Sequence, residues 1–157
     1  MFSSMQSFPC EDLVLAYEDA LRSGAALTFA AELAGRLGAT LHVVHVIDLN
    51  DYPIDPDLAE SPQERQFVER AADRAYQEIS DFLRKFSCAW TYSVETGNPV
   101  LRINQVAERH AASAIVAEAS TPGLAGIFHR SLKGSVLKEL VKSARRVIIV
   151  VPRHMRP

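Results

Sequence analysis

The chain is predicted to fold as one α/β domain, a doubly wound parallel sheet of five strands with helices on both faces. Three observations predict this. Short apolar runs without polar alternation, such as Leu13-Val14-Leu15-Ala16-Tyr17, read as strands buried on both sides. The segments between such runs carry apolar residues at helical spacing. The strict alternation of the two kinds of segment is the pattern of parallel strands joined by right-handed crossovers.

The elements follow in order. After the first strand, Leu27, Ala30, Ala31, Ala34 and Leu37 mark a helix that Gly38 stops. Leu41 to Ile47 is a second, β-branched strand, and the acidic, proline-bearing stretch from Asp48 to Pro62 reads as a loop. Phe67, Ala71, Ala75, Ile79, Phe82, Leu83 and Phe86 form one face of a long second helix. Trp90 to Val94 is a short third strand. Gly97-Asn98-Pro99 then turns into a third helix carrying Ile103, Val106, Ala107 and His110. Ala114 to Ala117 is the fourth strand. A fourth helix carries Val136, Leu137, Leu140, Val141 and Ala144, and Val147 to Val151 is the fifth strand.

Composition narrows the function classes. At 157 residues, 48% hydrophobic and 23% charged, the chain can bury an ordinary core without disulfides or metal. A formal net charge of −2 gives no bulk attraction to nucleic acid or anionic membrane, and no apolar run reaches the length of a membrane span. Cys10 and Cys88 form no C-x-x-C motif and read as free thiols of a reducing compartment. Met1 to Pro9 is Ser-rich and lacks the basic and apolar regions of a signal peptide, so a cytoplasmic location is expected. Residues 1–10 read as a flexible segment, 11–152 as the domain and 153–157 as a tail.

In a doubly wound sheet the ligand crevice lies at the carboxyl ends of the strands, where strand order reverses. The loops after strands one and four are therefore the candidate site. Strand four leads into a Gly/Pro-containing loop and then into Gly134-Ser135-Val136, which opens a helix. A strand, a loop and a Gly-Ser helix start present backbone N–H groups to an anion. The plain alternative is an ordinary helix start with Ser135 as cap.

These residues resemble the universal stress protein family over nearly the whole chain, from Leu13 to Pro152. Ala26-Leu27, Ala30, Leu33-Ala34 and Leu37-Gly38-Ala39 lie on the family's first strand–helix unit without a gap. His45-Val46-Ile47-Asp48 resembles its strand-two ending, and Gly97-x-Pro99 with Ile103 and Ala107 its third β–α turn. Gly134-Ser135-Val136 and the Val-rich strand before Pro152 match its carboxyl end. The resemblance implies a Rossmann-like sheet in the order 3-2-1-4-5, a homodimer built on strand five, and a cytoplasmic stress-response role with possible protein clients.

Members of that family that bind ATP carry an Asp after strand one and G-x2-G-x9-G-[S/T] after strand four. The Asp position falls here on Glu18, followed by Asp19 and Ala20 in place of small residues. The first glycine falls on Glu118 and the second on Thr121, while Gly134-Ser135 stands three residues late. The loop also holds Gly123-x2-Gly126, with seven rather than nine residues between Gly126 and Gly134, which offers a re-registered cradle. By the resemblance, Ala16 and Val46 would meet the adenine end of a nucleotide, and Ala117, Gly134, Ser135 and Val136 its sugar and phosphates. Glycine at such a loop lets backbone approach phosphate or take positive φ. Glu118 replaces that freedom with bulk and negative charge.

With strands one and four adjacent, Glu18 and Glu118 are expected at one crevice. Two carboxylates there would repel a triphosphate by about 4 kcal/mol per unit charge pair at 4 Å for an effective dielectric near 20. His129, Arg130, Lys133 or a nucleotide-bound Mg²⁺ would offset this. The plain reading of Glu18 and Glu118 is two solvated loop carboxylates; the sharper one is a carboxylate pair with one raised pKa, or a cation site. Loss or alteration of ATP binding is the expectation. The alternative is an ATP binder, with slow hydrolysis, that uses Gly123, Gly126 and Gly134.

Remaining features favour structure over chemistry. His42 and His45, three apart on one strand, point to opposite faces and read as packed histidines, not as joint metal ligands. Asp48, Asp51, Asp55, Asp57 and Glu60 lack the spacing of a calcium loop. Lys138, Lys142, Arg145 and Arg146 suit the carboxyl end of a helix dipole. No Ser or Cys stands in a G-x-S-x-G context, so the sequence gives no reason to propose a catalytic triad. A dedicated enzyme is not expected. Val147, Ile148, Ile149, Val150 and Val151 form a bare apolar edge, which pairing across a two-fold axis would hide. An edge covered by the chain's own N-terminal segment is the bland alternative.

Overall fold

The computed structural model describes residues 12–18, 23–47, 61–119 and 134–153. Among these described residues five strands, β1 (Leu13–Tyr17), β2 (Thr40–Ile47), β3 (Ala89–Thr96), β4 (Ala114–Glu118) and β5 (Val147–Val151), alternate with four helices. These are α1 (Gly24–Leu37), α2 (Pro62–Leu83), α3 (Pro99–Arg109) and α4 (Gly134–Ser143). All strand pairs are parallel, in the order β3-β2-β1-β4-β5. The predicted architecture is the observed one.

Helix ends follow local chemistry. Gly38, at φ +65°, closes α1 in the left-handed conformation and donates to the Ala34 and Gly35 carbonyls. Ser61 caps α2 by accepting the Glu64 N–H at 3.2 Å, with Pro62 in the first turn, where its missing N–H costs nothing. Asn98 does the same for α3 through the Leu101 N–H at 3.1 Å, with Pro99 following. Pro62 therefore begins a helix, where the sequence reading ended a loop with it.

The sheet separates two cores. On one face Leu13, Leu15, Leu41 and Val43 pack with Ala26, Leu27, Ala30 and Ala34 of α1 and Ala75, Ile79 and Leu83 of α2. On the other, Val14, Ala16, Val44, Ile115 and Ala117 pack with Ile103, Val106 and Ala107 of α3 and Leu140 of α4. Fully buried β1 and β4 explain their unbroken apolar runs.

Several boundaries differ from the sequence reading. β3 runs from Ala89 to Thr96 because all eight of its residues register with β2, including the polar ones that a hydrophobicity pattern leaves out. β4 includes Glu118 for the same reason, through its pairing with Val151. Phe86 lies beyond α2, and His110 is the residue that follows α3. Phe67 and Val141, expected on buried helix faces, are exposed among the described residues.

Candidate functional site

The crevice at the carboxyl ends of β1 and β4 is built by residues from three parts of the chain. Ser23, 1% exposed, precedes α1, yet its hydroxyl does not cap the helix. It accepts the Glu18 N–H at 2.9 Å and so ties the end of β1 to the start of α1. The capping acceptor comes from β4. Oε2 of Glu118 accepts the N–H of Ala26, third residue of α1, at 3.1 Å. A carboxylate at that position meets both an orphan donor and the positive end of the helix dipole. Oε1 lies 3.8 Å from Nε of Arg153, and the Ala119 N–H donates to the Val151 carbonyl at 2.8 Å, joining the ends of β4 and β5.

Glu118 is thus 8% exposed, so it is not one of two solvated loop carboxylates. The physical reason is strand alternation. Val116 and Glu118 face α1, whereas Ala117 faces α3 and α4. Burial of the charge is tolerated because a helix N–H and a guanidinium meet it there. Glu18 is half-buried.

On the opposite face of the sheet the same strand ends carry different residues. Ala16 and Ala117, both essentially fully buried, stand with Val46 and Val136 in the α3/α4 core. Four of the residues expected around a nucleotide are therefore brought into one cluster, and α4 opens at Gly134 with Ser135 second. Thr121, Gly123 and Gly126 lie outside the described residues, as do Asp19, Ala20, His129, Arg130, Lys133 and the acidic stretch Asp48 to Glu60. Two members of the crevice were missed in the sequence. Ser23 had a usable signal, a small polar residue directly before a helix start. Arg153 had none, and reading it as tail overlooked its place beside Glu118.

His42 and His45 do point to opposite faces. His45 Nδ1 lies 3.0 Å from the Tyr92 hydroxyl, which donates to the Ala72 carbonyl at 3.2 Å; His45 therefore donates to Tyr92. Burial, helped by the charge of Asp73, pushes the Tyr92 hydroxyl up to about 12. Among the described residues no group of three His, Cys, Asp or Glu side chains has the arrangement of a metal site. No helix among them is long and apolar enough to cross a membrane.

The sequence pattern of the Universal stress protein family matches residues 11–152. The chain belongs to that family. No curated protein is a significant sequence match. Among solved structures, the universal stress protein UspA from Lactobacillus plantarum is similar at 26% identity and a TM-score of 0.69, over 90% of this chain and 97% of that one. A universal stress protein from Archaeoglobus fulgidus, in complex with dAMP, is similar at 22% identity and a TM-score of 0.57, over 90% and 97%. A third, in complex with cAMP, shares 16% identity at a TM-score of 0.58, over 92% and 98%. The last two likenesses concern the fold. In this chain the carboxylate of Glu118 occupies the α1 N-terminus.

Proposed function

We propose that this universal stress protein is a cytoplasmic, homodimeric stress-response binding module whose adenine-nucleotide site is altered at its phosphate end. It works by engaging ligand or protein clients, not by dedicated catalysis. One observation carries the reading. The α1 N-terminus, a natural anion-attracting end beside the crevice, is already taken by the Glu118 carboxylate. Arg153 is drawn to the same carboxylate, so two attractions for phosphate are spent internally. For the dimer, the support is β5 at the sheet edge with Val147 and Val150 63% and 43% exposed.

A second reading keeps an adenine nucleotide, with Mg²⁺ only in its company. It rests on the cluster of Ala16, Val46, Ala117 and Val136 beside a helix that opens at Gly134, and on the dAMP and cAMP complexes of the two fold neighbours. Phosphate would then meet the α4 N-terminus and the Gly123/Gly126 loop.

Thermal unfolding with and without millimolar Mg-ATP, and with AMP, separates the readings. A ligand at a hundred times its Kd stabilises by about 2.7 kcal/mol, which here is a rise of about 5–10 °C. The altered site predicts no such rise with Mg-ATP. A rise abolished by Gly134→Val would establish the second reading. For the dimer, Val150→Asp is expected to give a folded monomer by light scattering; an unchanged mass would refute pairing through β5.

A further inference from the structure

A second cluster lies at the amino ends of β1, β2 and β3, on the face covered by α3. Asp12 precedes β1, His42 is the third residue of β2, and Thr91, its register partner, is the third of β3. His42 Nε2 lies 2.9 Å from Asp12 Oδ2, and Nδ1 lies 2.6 Å from Thr91 Oγ1. His42 is 5% exposed, whereas Thr91 is exposed on an edge strand. His110, at the end of α3, stacks on the His42 ring with centroids 3.7 Å apart and planes 18° from parallel.

The proton positions follow from these contacts. Burial pushes the Asp12 carboxyl up, but the hydrogen bonds from His42 and the Thr40 N–H, with the charges of His42 and His110, hold it below its ordinary value. An ionised carboxylate only accepts, so Nε2 of His42 carries a hydrogen. In the neutral ring Nδ1 is then a lone pair, and the Thr91 hydroxyl donates to it. The order is hydroxyl, imidazole, carboxylate: a nucleophile within reach of a base that a third group orients. His110 covers one side of the ring and keeps water from it.

We propose that Thr91 is an activated hydroxyl and a modification site, taking an acyl group from small activated acyl donors such as aryl esters and acyl phosphates, with His42 as its general base. Oγ1 of Thr91 bonds to the donor's carbonyl carbon while its proton passes to Nδ1 of His42. The bond from that carbon to the aryl oxide or phosphate then breaks, the leaving group takes the proton, and a threonine ester remains. Asp12 is a positioning residue that fixes the tautomer. The donor arrives from solvent, because His42 stands five residues from the carboxyl end of β2, about 16 Å from the nucleotide crevice.

The test is incubation of the full chain with p-nitrophenyl acetate, and separately with acetyl phosphate, followed by peptide mapping by mass spectrometry. The expected result is acetylation of Thr91, lost in Thr91→Val, kept in Thr91→Ser, and slowed about 100-fold or more in His42→Gln. Thr91 is exposed, so Thr91→Val should still fold, losing only the stability of its hydrogen bond to His42. Should His42→Gln fail to fold, Asp12→Asn serves in its place. It should slow acetylation, and Asp12→Glu should restore part of the rate, which a merely structural carboxylate would not do. The groups facing His42 are Asp12 and His110, with Arg109 acting on His110. Acetyl groups confined to lysines and the amino terminus, or a Thr91 rate indifferent to both His42→Gln and Asp12→Asn, would overturn the proposal.

Discussion

Substitution of Glu118 by Gln and by Ala separates the charge of its carboxylate from its hydrogen bond. The side chain is 6% exposed, its Oε2 accepts the Ala26 N–H at 3.1 Å, and Ala26 stands in the first turn of a 14-residue helix. A hydrogen bond to a charged group contributes about 1.5–3 kcal/mol. A carboxylate at a helix N-terminus contributes about 0.3–1 kcal/mol, and up to ~2 where partly buried. Arg153, 3.8 Å away and 30% exposed, adds about 0–1 kcal/mol, since water screens it. Glu118→Gln keeps an acceptor and loses charge, so it should cost about 1–2 kcal/mol. Glu118→Ala leaves the Ala26 N–H without that acceptor and should cost about 2–4 kcal/mol. Urea unfolding reads both as a lower midpoint at unchanged slope. An Ala variant within about 0.5 kcal/mol of the parent, the range of an ordinary surface change, would refute the capping argument.

Three further outcomes follow from the packing. His110 is held below its ordinary 6.5 because burial, His42 and Arg109 disfavour its charge more than Asp12 favours it. Its stabilisation is fully present above 6.5 and is lost as pH falls from there through the folded value; Asp12, also lowered, follows below 3.8. Melting temperature should thus decline as pH falls below 6.5 and decline less in His110→Asn, an identical slope counting against the stack. Tyr92, raised to about 12 from 10.0, contributes stability that is present below pH 10 and lost as pH rises towards 12. Absorbance titration should show this late tyrosine, missing in Tyr92→Phe. Gly35→Ala would place its Cβ 3.0 Å from the Ser87 carbonyl oxygen. Helix propensity favours Ala by about 1 kcal/mol, but backbone cannot yield as a side chain can, so a net loss of about 1–2 kcal/mol is expected in urea unfolding.

Much of the site's location, and little of its chemistry, was legible in the sequence. Ala16, Val46, Ala117 and Val136 gather as expected, because strand ends and a helix start can be placed by periodicity and the doubly wound topology then makes them neighbours. Glu118 stands out in the sequence as a departure from a glycine, but its buried setting on the α1 N-terminus does not show there. The same limit hid the Asp12–His42–Thr91 relay. His42 was read correctly as a packed strand histidine, yet nothing local to residues 12, 42 or 91 links them; only strand register does.

What the sequence by itself determined is the order of elements, and through it the parallel sheet, since apolar period and capping residues act within a few positions of one another. Capping by Ser61 and Asn98 belongs to this local level. Tertiary structure alone decided that α1 is capped by a carboxylate 92 residues further along the chain, while its own Ser23 is turned to Glu18. A side chain's face follows from alternation, but the partner awaiting it there depends on which strands become neighbours. That is a property of the closed sheet, where the energy of a buried charge is set by groups distant in sequence.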